Sequence, residues 1–411
     1  MFETLLAHGE RLARVETNRA ILRFVNGIDW LVRDSKAVVG RTPYDVVLKQ
    51  GKLEVRRYRH PAAGVRARFP IPVLLIPPLM VKPFIFDLFP NRSLVSFLLE
   101  NGYTVYLVDF GEPDRADALV TLDNYVLDWL PAAIGAVKRA SGVDEVTLLG
   151  YCMGGLFAFS LAAVSGDPSI RNIVSIAAPV DTAKMGLFAW MAKAAGGQVD
   201  FLARRIGNVP GGLSSTVFRL LAPMKNVTRY ADLFMNMWNR EYVNGFDAMN
   251  EWVGQFIDYP QEAFRQFVRD FMQHNKLARG KMTFRGKVAD LKKIRASLLV
   301  IAGKTDAVAP IAAVKAALET VGSPDMTFKL APGGHMGVFA GSSAPEHVWK
   351  IAAEWLAPRS QLTSATVTAK GRGRAARRSA SAGREQTNRK AKGSPDRGAR
   401  GRGARRATER S

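Results

Sequence analysis

The chain has 411 residues, 58 Lys and Arg against 36 Asp and Glu, a formal net charge of +22 and a single cysteine. That length suits one large domain or two ordinary ones, and one thiol excludes an internal disulfide and any cysteine-rich metal site. The charge is uneven: residues 359–411 hold 16 Lys and Arg against 3 Asp and Glu, a net +13, which leaves +9 for residues 1–358.

The N-terminal run MFETLLAHGERLARVETNRAILRF has no apolar core and no small-residue cleavage site, so it reads as an amphipathic helix and not as a leader. Residues 1–65 are expected to be helical and to close on an edge strand, KLEVRRYRH (52–60), whose side chains alternate. The most apolar stretch, residues 69–89, is long enough to tempt a membrane reading. Its five prolines and Lys82 oppose it, because a spanning helix must satisfy its own backbone groups. A soluble, cytoplasmic protein without a transmembrane segment is expected.

From there short apolar runs alternate with helical ones. PVLLIPP (72–78), YTVYLVDF (103–110), EVTLLG (145–150), RNIVSIAAP (171–179), ASLLVIAG (296–303) and MTFKLAP (326–332) read as strands. LDNYVLDWLPAAIGAVKRASG (122–142) reads as helix, with Pro131 either bending it or marking a new start. Apolar strands alternating with helices imply a parallel sheet covered on both faces, an α/β fold whose ligands sit beyond the carboxyl ends of the strands. The core is expected over residues 66–182 and 295–358. Between these parts, residues 183–294 are helical and rich in Met, Phe and Trp. They read as a helical cap, its aromatics either packing within the subdomain or lining a channel. Residues 359–411 lack aromatics and read as a disordered basic tail.

The chemistry centres on LLGYCMGG, residues 148–155. A nucleophile on a sharp strand-to-helix turn needs small residues two places before and two after it, and Gly150 and Gly154 flank Cys152 at those offsets. A buried cysteine packed as a small hydrophobe is the plainer alternative. A thiol at a helix start becomes a thiolate more readily, and a histidine partner helps further. Five histidines are present. His8 and His60 precede the sheet core, His274 lies in the expected cap and His347 in the last helix. His335, in the glycine-rich loop APGGHMG just after the last predicted strand, is the candidate base. Asp306 in AGKTDAVAP is the candidate acid that orients it, with Asp181 after the preceding strand as the runner-up. Backbone N–H groups to stabilise an acyl oxyanion are expected from Met153 and from Leu79 or Met80, between which the sequence does not decide.

Sulfur at the nucleophile favours acyl transfer. If the substrate is a thioester, moving its acyl group onto Cys152 exchanges one thioester for another at little cost, and the acyl-thioenzyme stays activated toward an alcohol. The motifs GYCMGG, PPLMVKPFIFDLFPNRSLVSFLLENGYTVYLVDFGEPD, TLDNYVLDWLPAAI, GNVPGG, AFRQFVRDFMQHN, AGKTDAVAP and PGGHMGVF resemble those of the catalytic subunit of polyhydroxyalkanoate synthases, closest to the short, class III type, over residues 40–357. The resemblance implies an α/β-hydrolase fold and polymerisation of (R)-3-hydroxyacyl-CoA into polyester with release of CoA. It implies Cys152, Asp306 and His335 as the catalytic cysteine, aspartate and histidine. No resident cofactor or metal is implied, since the CoA thioester is substrate. Expected partners are the growing polyester, a second synthase subunit and granule-associated proteins, in a homodimer or hetero-oligomer at the granule surface.

The chain departs from the family pattern at Val81, where asparagine is usual, and at Phe110, where tryptophan is common. The basic tail lies outside that pattern. Its arginines suit sequence-blind, salt-sensitive contact with nucleic acid, against the plainer reading of a solvated extension. Two other readings of the chain stand beside the synthase: a cysteine-dependent hydrolase or single-turn acyltransferase on acyl thioesters and esters, and a non-catalytic protein tethering granules or nucleic acid.

Overall fold

The computed structural model describes residues 2–32, 39–62, 64–220 and 223–362; the expected tail therefore falls outside the described residues beyond its first four positions. In chain order the strands are β1 (Tyr44–Gln50), β2 (Leu53–Tyr58), β3 (Val73–Ile76), β4 (Val105–Asp109), β5 (Val146–Tyr151), β6 (Ile170–Ile176), β7 (Thr283–Phe284), β8 (Lys287–Val288), β9 (Ser297–Gly303) and β10 (Met326–Ala331). Eight form one sheet in the order β1-β2-β4-β3-β5-β6-β9-β10, and β7 and β8 form a separate hairpin.

Pairing is antiparallel between β1 and β2 and between β2 and β4, and parallel from β4 onward. The parallel centre follows from composition. All four residues of β3 and all six of β5 are buried, as befits strands covered on both faces. Each such leucine, isoleucine or valine contributes roughly 1.5–3 kcal/mol relative to exposure. The helix Met153–Ser165 is apolar all round and buried from Met153 through Ala163, which anchors the turn that precedes it. The chain steps from β3 outward to β4 and then back past β3 to β5. This reversal opens a crevice at the carboxyl ends of β3 and β5, where ligands of such sheets bind.

The N-terminal part differs from expectation in its strands. KLEVRRYRH supplies β2, which is not an edge strand: it pairs with β1 on one side and β4 on the other. The edge is YDVVLKQ, within the part expected to be helical; its side chains are only exposed or half-buried, so burial imposes little pattern on it. The N-terminal run forms the expected helix, Phe2–Val32, but among the described residues of 1–65 the helical part ends there. Asn26 Nδ2 donates to Met237 O at 2.8 Å and Trp30 Nε1 to Asp247 Oδ1 at 2.8 Å, so this helix leans on the insertion. Pro131 does not start a new helix: the chain stays helical from Leu122 to Ser141, with Trp129 and Leu130 in the right-handed helical region, and a π-helical turn over Asn124–Trp129 precedes the proline.

The insertion between β6 and β9 is helical, including Leu187–Ala195, Gln198–Ile206, Gly211–Leu220, Pro223–Asn236, Arg240–Gly254 and Gln261–Gln266. Its two ends meet in a buried polar knot. Asn275 Oδ1 accepts from the Thr182 N–H and hydroxyl, both at 3.0 Å, and Asn275 Nδ2 donates to Asp181 Oδ1 at 2.7 Å. Its aromatics divide: Trp252, Tyr259 and Phe271 are buried, while Trp190, Phe201 and Phe234 are exposed. At the C-terminal end, Arg359 pairs with Asp325 at 2.8 Å and lies over the Trp355 ring at 4.3 Å, so the folded body includes the first residue assigned to the tail. Among the described residues no helix is long and apolar enough to cross a membrane.

Candidate active site

Strand β5 ends in the turn that carries the thiol. Cys152 sits at φ 52°, ψ −120° immediately before the helix Met153–Ser165. A side chain held in such a conformation costs roughly 1–3 kcal/mol and persists only where the surroundings fix it. Here its N–H donates to Ile176 O at 2.9 Å and its carbonyl accepts from Gly155 N at 3.0 Å. The flanking glycines are required by contact. A Cβ at Gly150 would lie 2.4 Å from the Gly154 carbonyl carbon, and one at Gly154 would lie 2.0 Å from Ile76 O. Cys152 is half-buried, with no disulfide partner.

His335 opens the helix His335–Ala340 after β10, and Asp306 follows β9. The two meet: His335 Nδ1 and Asp306 Oδ2 are 2.8 Å apart, with the aspartate side chain fully buried and the histidine nearly so. The other carboxylate oxygen, Oδ1, accepts from Val308 N at 2.9 Å and Ala309 N at 2.8 Å, which turns Oδ2 toward the ring. With Nδ1 engaged, Nε2 is left for the thiol. Burial on its own pulls the His335 imidazole down. The negative charge at Cys152, the hydrogen bonds to Asp306 and Cys152, and the aspartate charge together outweigh it and raise the imidazole from 6.5 to about 10. The His335 imidazole is thus held protonated at neutral pH.

Asp181 does not join this group. Its carboxylate accepts from Asn275 Nδ2 at 2.7 Å and Ala183 N at 3.2 Å, and it faces Lys184 Nζ at 3.3 Å, at the base of the insertion. The backbone positions named for the oxyanion lie at the carboxyl ends of β3 and β5. Met80 has φ 61° and its carbonyl accepts from Ile257 N at 3.0 Å. Among the described residues no protein acceptor meets the N–H of Leu79, Met80 or Met153. Val81 is buried, and Phe110 packs edge-on against Tyr125 at 5.0 Å and stacks with Trp129 at 6.1 Å. A cleft beside them is bounded by Pro78, Met80, Phe110, Tyr125, Ile257 and Pro260. Among the described residues, no group of three or more His, Cys, Asp or Glu is placed to hold a metal ion.

An alpha/beta hydrolase fold family profile matches residues 72–342. Among solved structures, a soluble variant of monoglyceride lipase from Saccharomyces cerevisiae superposes with a TM-score of 0.50 at 16% identity, covering 80% of this chain and 99% of that one, a likeness of fold. The poly(3-hydroxyalkanoate) polymerase subunit PhaC of Haloferax mediterranei is 35% identical over 335 residues, covering 80% of this chain and 66% of that protein. The protein of the same name from Allochromatium vinosum is 32% identical over 336 residues, covering 81% of this chain and 93% of that one. The chain belongs to the poly(3-hydroxyalkanoate) polymerase family. Its α/β-hydrolase fold and its class, an acyltransferase, go with that membership.

Two residues near this polymerase-family site escaped the sequence reading. Tyr151, between Gly150 and the thiol, is buried; its hydroxyl donates to His335 O at 3.1 Å and its ring stacks on Phe339 at 4.2 Å. It thereby ties the elbow to the histidine loop, and an aromatic at the second position of the elbow was the available signal. Trp252, deep in the insertion, donates from Nε1 to Lys82 O at 2.9 Å. Nothing local in the sequence points to that contact, which joins residues 170 positions apart.

Proposed function

We propose that the chain polymerises (R)-3-hydroxyacyl-CoA into polyester through an acyl-thioenzyme at Cys152. The observation that carries this reading is the linked set of a strained cysteine at a helix start, a histidine raised by its charge and hydrogen bond, and a buried aspartate 2.8 Å from the far side of that histidine.

The Cys152 thiolate attacks the thioester carbonyl, and the charge that builds on the acyl oxygen is met by backbone N–H groups of Met153 and of the Leu79–Met80 loop. The carbon–sulfur bond to CoA breaks, and the His335 proton goes to the leaving CoA thiolate. Acylation removes the negative charge at Cys152, which is among the causes holding the imidazole up. His335 is then left as a neutral base. It takes the proton of a hydroxyl from a second unit, the new ester C–O bond forms, the bond to Cys152 breaks, and the thiolate and imidazolium return. Asp306 has both oxygens engaged and a fully buried side chain. That favours His335 over Asp306 as the base toward the hydroxyl, with the carboxylate orienting the ring.

The relatives are named as polymerase subunits, which supports assembly with a second subunit. The body's excess of Lys and Arg suits the polyanionic CoA by raising its local concentration. The test is the purified chain with (R)-3-hydroxybutyryl-CoA, with and without a candidate second subunit. Sedimentable polyester is the expected product. Free 3-hydroxybutyrate in its place, with no polymer under either condition, would assign a hydrolase.

A further inference from the structure

The loop that follows β3 does not hold itself. Leu79–Lys82 leaves the sheet after two prolines and reverses with Met80 at φ 61°, a conformation that needs outside support. Two of its carbonyls are gripped by the helical insertion. Ile257 N donates to Met80 O at 3.0 Å, and Trp252 Nε1 donates to Lys82 O at 2.9 Å. Trp252 is 2% exposed and its ring packs edge-on against Phe256, centroids 5.5 Å apart. The strap that carries Ile257, residues 256–260, is fixed from its far side. Tyr259 exchanges both backbone hydrogen bonds with Val209 at 2.9 Å each, and a Cβ at Gly211 would lie 2.0 Å from Phe256 O. The Tyr259 hydroxyl also reaches Met153 Sδ at 3.4 Å, so one segment of the insertion touches both sources of the proposed oxyanion donors.

We infer that Trp252 is a positioning residue for acyl transfer. By holding the Lys82 carbonyl, beside the grip of Ile257 on Met80, it fixes the backbone N–H groups of Leu79 and Met80 where charge develops on the acyl oxygen. It acts through the loop and touches neither the thiol nor the imidazole. This rests on the acyl-transfer reading above.

Two rates measured on the full chain separate this role from general structural support. Alkylation of Cys152 by iodoacetamide needs the thiolate and no oxyanion site. Acylation by (R)-3-hydroxybutyryl-CoA, followed by CoA release and by the mass of the acyl-enzyme, needs both. Trp252→Phe removes the indole donor and keeps an aromatic ring. It is expected to retain alkylation within about twofold and to lose acylation about tenfold or more, less than the roughly 100- to 1,000-fold typical of deleting an oxyanion donor outright. If Trp252→Phe does not fold, Gly211→Ala, which displaces the strap by another route, carries the test on the same two rates. Acylation left unchanged, or both rates falling together, overturns the inference. Absence of acylation in the unsubstituted chain, with and without a candidate second subunit, would be seen before any substitution; it would sink the underlying reading and this inference with it.

Discussion

Sulfur at position 152 is the choice on which the chemistry turns. Cys152→Ser keeps the size and the turn but replaces a thioester intermediate by a more stable oxyester and a nucleophile that His335 must fully deprotonate. CoA release is expected to fall about 1,000-fold or more, on the scale seen when a nucleophile of a triad is removed, with little change in melting temperature. Equal rates of CoA release for both proteins would place the reaction elsewhere. His335 carries a pH signature. Its proton serves the leaving CoA thiolate, and it is held to about 10. Acylation should therefore stay level across neutral pH and decline as pH rises through about 10. Asp306→Asn removes one hydrogen bond and one negative charge that favour the imidazolium. The decline should move to lower pH in that variant, and a pH profile of acylation checks it; an unmoved basic limb would separate Asp306 from the histidine's titration.

Among the elements, the elbow helix is pressed against β3 without slack. Gly154→Ala would put a methyl 2.0 Å from the Ile76 carbonyl oxygen, backbone against backbone, and neither partner is a flexible side-chain end. Overpacking of this kind costs about 1–3 kcal/mol or more, and urea denaturation should show that loss together with loss of acylation. A variant as stable as the parent would mean that the helix can slide. The same tightness explains what the sequence makes legible. Strands β3, β5, β6 and β9 are buried along nearly their whole length, so their apolar runs stand out. The pairing of His335 with Asp306 was readable because chain order and the ends of β9 and β10 bring both loops to one place. Strand β1 was not readable, because its half-exposed face imposes no pattern. The choice between Leu79 and Met80, and the hold of Trp252 on Lys82, depend on backbone direction and on a contact across 170 residues. Neither leaves a local trace.

At the scale of the whole molecule, charge and catalysis separate along the chain. Residues 362–411 hold 15 Lys and Arg against 3 Asp and Glu, a net +12 of the total +22. Ending the chain at Gln361 is expected to leave melting temperature and acylation as they are. It should weaken retention on double-stranded DNA and flatten the salt dependence of what remains, since that dependence scales with the phosphates neutralised. Unchanged DNA retention would return the tail to a solvated extension. The central claim, covalent acyl transfer through one sulfur, is tested most directly by intact-mass and peptide mapping of the full chain mixed with (R)-3-hydroxybutyryl-CoA. The expected result is one CoA released per first acyl group, with the added mass on the peptide containing Cys152 and absent from Cys152→Ala. Steady CoA release by Cys152→Ala, with no adduct on either protein, would contradict the account.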